Sequence, residues 1–163
     1  MINFSKLNLE SFDSESLGKA IRKRSIKRYR SLDLEPFYSF ISVKGKYFRG
    51  TETDKYLRIA RIRFPFERAF PSFIFRFNKA NYRDCKIRPS ASTGFAYLVM
   101  VALFVYQIQR GLGNFEITKD GLIIIGACFL HVILSIVEFY KSKSRVLQTL
   151  TEGHPKSTNT HSI

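Results

Sequence analysis

Two long apolar runs dominate the second half of the chain. Residues 89–109 carry no formal charge, and neither do residues 121–137. An α-helix rises 1.5 Å per residue, so about 20 residues cross the ~30 Å hydrocarbon layer of a bilayer. Residues 98–105 also lack the polar face that a surface helix of a soluble protein shows at the helical repeat. The pattern predicts two transmembrane helices, at about 93–110 and 121–140.

The segments around these runs indicate how they are oriented. Residues 110–120 form a short connection with two basic and two acidic residues, so we expect the helices to be antiparallel neighbours in a hairpin. Basic residues are in excess on both outer flanks, which places both termini in the cytoplasm by the positive-inside rule. Residues 141–163 are polar, and we expect them to form a disordered tail. The first sixteen residues lack the continuous apolar core of a secretory signal peptide.

The alternation of apolar and polar residues changes in the first half of the chain. Phe73, Phe75 and Phe77 fall on one face of an extended segment, the period-2 pattern of a half-buried antiparallel strand. Several such segments, separated by Gly, Pro and Asn, predict a β-rich cytosolic domain over residues 37–92. In residues 54–66 the apolar residues switch faces, which predicts a bulge or a bend. The fold class predicted is therefore an α+β membrane protein with a small antiparallel β sandwich or partial barrel.

An intensely basic helix is predicted from Ser16 to Tyr29, within the N-terminal segment, residues 1–36. Its apolar stripe is interrupted by arginines, which leaves two interpretations: a solvated charged helix lying over the sheet, or a helix that contacts anionic lipid headgroups. The second interpretation makes lipid-binding candidates of six residues: Arg22, Lys23, Arg24, Lys27, Arg28 and Arg30.

The formal net charge of +14 is concentrated in the same part of the chain, because residues 1–92 hold 21 of the 27 basic and 9 of the 13 acidic residues. Such an excess raises the question of nucleic-acid binding. The segment KGKYFRGTE does not match the signature of an RNA-recognition motif, and positive flanks are expected of a membrane-tethered chain. Nucleic acid is therefore disfavoured as a partner relative to the lipid bilayer or a protein.

Few side chains suited to catalysis are present. Histidine occurs only at His131, His154 and His161, so the predicted cytosolic domain cannot build a Ser–His or Cys–His nucleophile pair or a usual zinc site. No phosphate-binding or dinucleotide-binding glycine loop exists. We expect no enzymatic activity, no cofactor and no metal, and we interpret Cys85 and Cys128 as packing residues.

One ionisable residue falls inside a predicted span. His131 shares a small, polar stripe with Ala127 and Ser135 at four-residue spacing, a pattern that allows close helix contact. Three interpretations stay open: an imidazole hydrogen-bonded within the hairpin, a contact between protomers of a homo-oligomer, or proton or ion handling.

The order of segments adds a resemblance. GKYFRGTETDKYLRIARIRFPFERAFPSFIFRF, followed by the span from Thr93, resembles uncharacterised small bacterial membrane proteins that have a basic β-rich cytosolic domain and a transmembrane hairpin. The resemblance implies a multi-pass protein of the bacterial cytoplasmic (inner) membrane, and it assigns no functional residue. Our hypothesis is a membrane-anchored interaction or regulatory module that binds anionic lipid or an unidentified membrane or cytosolic protein. The alternative is an oligomerising, membrane-active effector that perturbs the bilayer.

Overall fold

One mixed sheet and three helices make up the fold, which confirms the α+β class. The computed structural model describes residues 5–28, 32–33, 44–64, 67, 70–114 and 119–153. The strands are β1 (Ser5–Leu7), β2 (Ser25–Lys27), β3 (Phe48–Glu52), β4 (Tyr56–Arg61), β5 (Phe73–Asn78) and β6 (Asn81–Pro89), and the helices are α1 (Ser14–Lys23), α2 (Ala91–Asn114) and α3 (Lys119–Gly153).

The strands form a single open sheet, not the predicted sandwich or partial barrel. Their order is β1-β6-β5-β4-β3-β2, and all neighbours are antiparallel except β2 and β3, which are parallel. The N-terminal segment supplies both edge strands, so residues 1–36 and 37–92 share one sheet. The predicted strand content of residues 37–43 lies outside the described residues.

The main core lies between one face of the sheet and two helices. Phe48, Ile59 and Phe75 project from this inner face and are completely buried. Two helices cover them, α1 and the C-terminal part of α3. Burying a side chain of this size contributes about 1.5–3 kcal/mol, so this layer stabilises the domain.

The basic helix α1 is shorter than predicted. Asp13 caps its N-terminus, where the carboxylate accepts a hydrogen bond from the backbone N–H of Ser16 at 3.0 Å. The helix ends at Lys23 because the next residues, Ser25–Lys27, pair with β3 as strand β2. The predicted continuation to Tyr29 is therefore wrong.

Helix α3 is longer than predicted. Residues 141–153, which were expected to belong to a disordered tail, are part of this helix. It continues without a break to Gly153, and Val146 and Leu150 are completely buried in the main core. These two residues are one helical turn apart, so an otherwise polar segment presents an apolar stripe to the sheet. Residues 154–163 lie outside the described residues.

The predicted bulge in the second strand is also wrong. The register of β4 is continuous with both β3 and β5, and the irregularity lies at Phe77/Asn78 instead. The apolar residues of residues 54–66 occupy both faces of the strand for another reason. Ala60 and Ile74 are buried on the outer face of the sheet, opposite α1 and α3, where they pack with Leu32 in a second small cluster.

Helices α2 and α3 are both long and apolar enough to cross a membrane. Their large apolar side chains are mostly exposed from Phe95 to Ile108 and from Leu122 to Val137. Only one residue, Ser90, separates the end of β6 from the start of α2.

Candidate functional site

A polar cluster lies between α2 and α3. The hydroxyl of Tyr97 donates a hydrogen bond to Oγ of Ser135 at 2.7 Å, and the rings of Tyr97 and His131 meet edge to face with centroids 5.3 Å apart. Ser135 in turn donates to the backbone carbonyl of His131 at 2.6 Å. The structure therefore brings two of the three predicted stripe residues against α2, while Ala127 is exposed. Nε2 of His131 is buried and has no hydrogen-bond partner among the described residues, so an imidazole hydrogen-bonded within the hairpin stays a prediction, as do the other two interpretations.

The six predicted lipid-binding residues do not form one helical face. Arg22, on α1, donates to Glu52 at 2.8 Å and to the hydroxyl of Tyr82 at 2.6 Å. Arg24, just after α1, pairs with Glu152 at 3.3 Å. Both arginines therefore connect elements of the fold.

The other four lipid-binding candidates are scattered. Lys23 is exposed at the end of α1, and Lys27 is exposed on β2. Arg28 is partly buried, and its backbone N–H donates to the carbonyl of Gly50 at 2.7 Å. Arg30 lies outside the described residues. The described positions fall on a helix end, an edge strand and the segment after it, and lipid binding by these residues stays a prediction.

Glu52 is the anion that holds part of this region together. It accepts a hydrogen bond from Arg22 and lies 2.9 Å from Nζ of Lys79. The contact with Arg22, and to a smaller extent the contact with Lys79, lowers the pKa of Glu52 to about 2. The carboxylate therefore stays ionised at any pH near neutrality.

The outer face of the sheet carries a row of cations that the sequence analysis did not identify. Lys6 lies opposite Lys86, Lys86 opposite Arg76, and Arg76 opposite Arg58, so four adjacent strands each contribute one residue. We call these four residues the basic row. Like charges that face each other across strands destabilise a sheet. The row therefore favours an anion that would compensate it.

Two arginines of the basic row have contacts that bear on its charge. The guanidinium of Arg76 lies 4.8 Å from the ring centroid of Tyr56, a cation–π contact that does not neutralise it. Nε of Arg58 is buried and has no hydrogen-bond partner among the described residues.

Next to the basic row, a separate pair is already compensated. Arg88 donates to both carboxylate oxygens of Asp33, at 2.6 and 2.7 Å, and these hydrogen bonds lower the pKa of Asp33. The same carboxylate accepts from the backbone N–H of Ala91, at the start of α2. The pair thus connects the outer face of the sheet to the first turn of the apolar helix.

A buried ion network lies where α3 leaves its apolar part. Nε and Nη2 of Arg61 contact the two carboxylate oxygens of Glu138 at 3.0 and 2.5 Å, and Nη2 lies 2.8 Å from Glu67. Lys141 donates to the other oxygen of Glu67 at 3.0 Å, and Ser142 donates to Glu138 at 2.9 Å. We call these five residues the junction network, because they join β4, the segment after it and α3.

The electrostatics of the junction network follow from this pairing. Burial would raise the pKa of Glu67, but hydrogen bonds from Lys141, from the backbone N–H of Phe64 and from Arg61 outweigh it and lower the pKa. Burial would likewise lower the pKa of Arg61, and the two carboxylates raise it. Glu67 and Arg61 are therefore held in their ionised forms by partners of opposite sign.

The junction network also borders a cleft of about 570 Å³. Its sheet side is formed by Arg61, Phe64 and Glu67. Its helix side is formed by one face of α3: Tyr140, Lys141, Ser144, Arg145 and Gln148. In the part of the chain that the structure describes, no three His, Cys, Asp or Glu side chains are placed to hold a metal ion.

The sequence indicates part of the basic row. Basic residues alternate with apolar ones in Leu57-Arg58-Ile59, Phe75-Arg76-Phe77 and Cys85-Lys86-Ile87. That alternation predicts which face each cation occupies, but the strand register that aligns them is not readable from it. Comparison of the chain with protein-family models, with curated proteins and with solved structures finds no match.

Proposed function

We propose that this protein is a membrane-anchored interaction module, in which a helical hairpin in the bilayer holds the sheet at the membrane surface. The observation that carries the proposal is the continuity of α3. Its first half exposes apolar side chains such as Ile123 and Phe129, whereas its second half is buried in the domain core. Its 35 residues extend about 52 Å, which exceeds the ~30 Å hydrocarbon layer. The remainder lies in the cytosolic domain.

The proposed location is the cytoplasmic membrane of a bacterium, with two spans and both termini in the cytoplasm. Basic flanks on both outer sides of the hairpin support this orientation. Reporter fusions placed before Met1 and after Ile163 are expected to show cytoplasmic activity, and a tag inserted at Asn114 is expected to be reached from outside. An externally exposed C-terminus would contradict the orientation.

The partner we propose is an acidic segment of a protein, bound on the basic row. Lys86 lies four residues before Ser90, so the row is about 13 Å along β6 from the start of α2. That distance exceeds the headgroup layer, which is about 5–8 Å thick on each side. The phenylalanines of the sheet point to its inner face and cannot stack on bases, and Tyr56, on the outer face, already contacts Arg76, which favours protein over nucleic acid.

A charge-matched pair of variants tests this surface. The first replaces Arg58, Arg76 and Lys86 with Gln, and the control replaces Lys19, Lys55 and Lys143, which are on other surfaces. The full chain is placed in phosphatidylcholine nanodiscs, and binding of a labelled poly-glutamate peptide is measured as salt is raised. We expect the first variant to bind at least about tenfold more weakly and the control to bind like the unmodified chain. Equal loss in both, or no binding at low salt, would contradict the proposal.

The alternative function, an oligomerising effector that perturbs the bilayer, has less support. Three polar side chains of the apolar helices, Tyr97, His131 and Ser135, contact each other within one chain. They are therefore not on an outer face where a second copy or a pore would use them. Membrane depolarisation on expression would favour the effector instead.

A further inference from the structure

The cleft beside the junction network has a defined depth relative to the apolar part of α3. Val137 is the last residue of the exposed apolar run, and Lys141 and Arg145 follow it by four and eight residues. At 1.5 Å per residue these cations lie about 6 and 12 Å beyond the hydrocarbon boundary. The headgroup layer is about 5–8 Å thick, so Lys141 lies within it, whereas the backbone of Arg145 lies about 4 Å beyond it and its long side chain reaches back to it.

The membrane-proximal end of the cleft carries two exposed aromatic rings. Phe64 is 57% exposed and Tyr140 is 64% exposed. Aromatic side chains are enriched at this level of a membrane protein because their rings suit the boundary between acyl chains and headgroups. Their exposure is unexplained by packing in the domain, and it fits a contact with lipid.

The cations of the cleft retain unused hydrogen-bond donors. Arg145 donates to Oε1 of Gln148 at 3.0 Å and stacks 4.8 Å from the ring of Tyr47, and it has no carboxylate partner within the described ranges. Lys141 donates to Glu67 and lies 5.4 Å from the ring centroid of Phe70, and its side chain is 46% exposed. An ammonium group has three donors and a guanidinium five, so both can bind a further acceptor. The neighbouring carboxylate of Glu67 is already paired with Arg61.

We propose that this cleft binds the headgroup of an anionic phospholipid. Lys141 and Arg145 contact the phosphate, the hydroxyl of Ser144 contacts the polar headgroup, and Phe64 and Tyr140 border the glycerol and upper acyl region. The inference deepens the proposed function, since it requires the hairpin to be in a bilayer. It also replaces the predicted lipid-binding surface on the N-terminal basic segment with a cleft on α3.

Lipid retention by the full chain tests the site. The protein is purified in a non-ionic detergent, mixed with equal amounts of phosphatidylglycerol and phosphatidylcholine, and analysed by native mass spectrometry. We expect the unmodified chain to retain phosphatidylglycerol at least about tenfold more than phosphatidylcholine. Lys141→Gln with Arg145→Gln should remove this preference, whereas Lys19→Gln with Lys143→Gln, which removes the same charge elsewhere, should keep it.

A second variant separates loss of the site from loss of the fold. Ser144→Leu fills the cleft without changing charge at an exposed helix position, so it should reduce phosphatidylglycerol retention while circular dichroism and the melting temperature stay unchanged. If the double variant misfolds, Ser144→Leu decides the outcome. Soluble glycerol 3-phosphate at the same concentration should not compete.

Three results would overturn the site. In the first, the unmodified chain retains the two lipids equally. In the second, the charge-matched control loses its preference for phosphatidylglycerol as fully as the double variant does. In the third, glycerol 3-phosphate competes with phosphatidylglycerol, which would indicate a site for a soluble anion. A chain that is recovered in the membrane but shows no lipid preference overturns only this inference. A chain that washes off membranes at alkaline pH overturns the proposed function itself.

Discussion

At the scale of single residues, Arg61 carries a buried charge that must be compensated by its neighbours. Its side chain is buried at the inner face of the sheet, in contact with two carboxylates that come from different parts of the chain. Removing one partner of a buried ion pair is costly because the remaining charges stay buried without compensation. Phe73 and Phe139 pack edge to face beside it, with ring centroids 5.7 Å apart, and help to exclude water.

We therefore expect Arg61→Met to lower the free energy of unfolding by about 3–5 kcal/mol, since Glu67 and Glu138 would lose their shared cation. Chemical denaturation of the full chain in detergent, followed by circular dichroism, measures the change. The control is Lys19→Met, which breaks an exposed pair with Glu15 on α1 and should leave the free energy of unfolding nearly unchanged. A cost at Arg61 no larger than at Lys19 would show that the network does not stabilise the fold.

At the scale of elements, α3 has two functions along one helix. Its first part is surrounded by exposed apolar side chains, and its second part supplies Val146 and Leu150 to the core between the sheet and α1. A 13-residue polar extension would not fold by itself, because short isolated helices are marginal in water. Tertiary packing against the sheet and α1 therefore accounts for its helical structure.

Leu150→Ala tests this packing. We expect it to destabilise the domain by about 2–5 kcal/mol, the usual cost of truncating a fully buried leucine. Gln148→Ala, an exposed position on the same segment, is expected to change stability by less than about 0.5 kcal/mol. The measurement is thermal unfolding of the full chain, followed by circular dichroism. Similar melting temperatures for the two variants would mean that the segment beyond Tyr140 does not belong to the core.

The elements that could be predicted from the sequence are those with a long, regular pattern. β5, the central part of β4 and the two apolar helices repeat their hydrophobic pattern over enough residues to identify them. β1 and β2 have three residues each, which is too short for a period to show, and their pairing depends on distant partners. The apolar stripe of Val146 and Leu150 is too short to predict a helix, because the surrounding residues are polar.

The candidate sites were less predictable than the fold, since they combine residues that are distant in sequence. Arg61 and Glu138 are 77 positions apart, and no local pattern relates them. The basic row likewise depends on the strand register, which pairs Arg58 with Arg76 and Arg76 with Lys86. His131 packs against Tyr97 of α2 without a hydrogen bond from its Nε2 to any described residue, so the three interpretations that the sequence left open stay open.

At the scale of the whole molecule, the domain is fixed to the apolar helices at two points. β6 passes into α2 through one residue, and α3 continues from its apolar part into the domain core. In the arrangement that we propose, two such connections would restrict rotation of the sheet relative to the bilayer. The basic row would then keep a constant distance from the membrane, and the cleft beside Lys141 would lie at headgroup level. Both proposals require α3 to cross from lipid to water within a few turns.

Spin-label accessibility along α3 tests this central claim most directly. With both native cysteines replaced by serine, single labels are placed at Leu130, Ile133, Val137, Ser144 and Gln148 of the full chain in phosphatidylcholine liposomes. Accessibility to oxygen, which partitions into lipid, is compared with accessibility to a water-soluble nickel complex. We predict that oxygen dominates at the first three positions and nickel at the last two, with the change between Val137 and Ser144. High nickel accessibility at all five positions would contradict a membrane-anchored module.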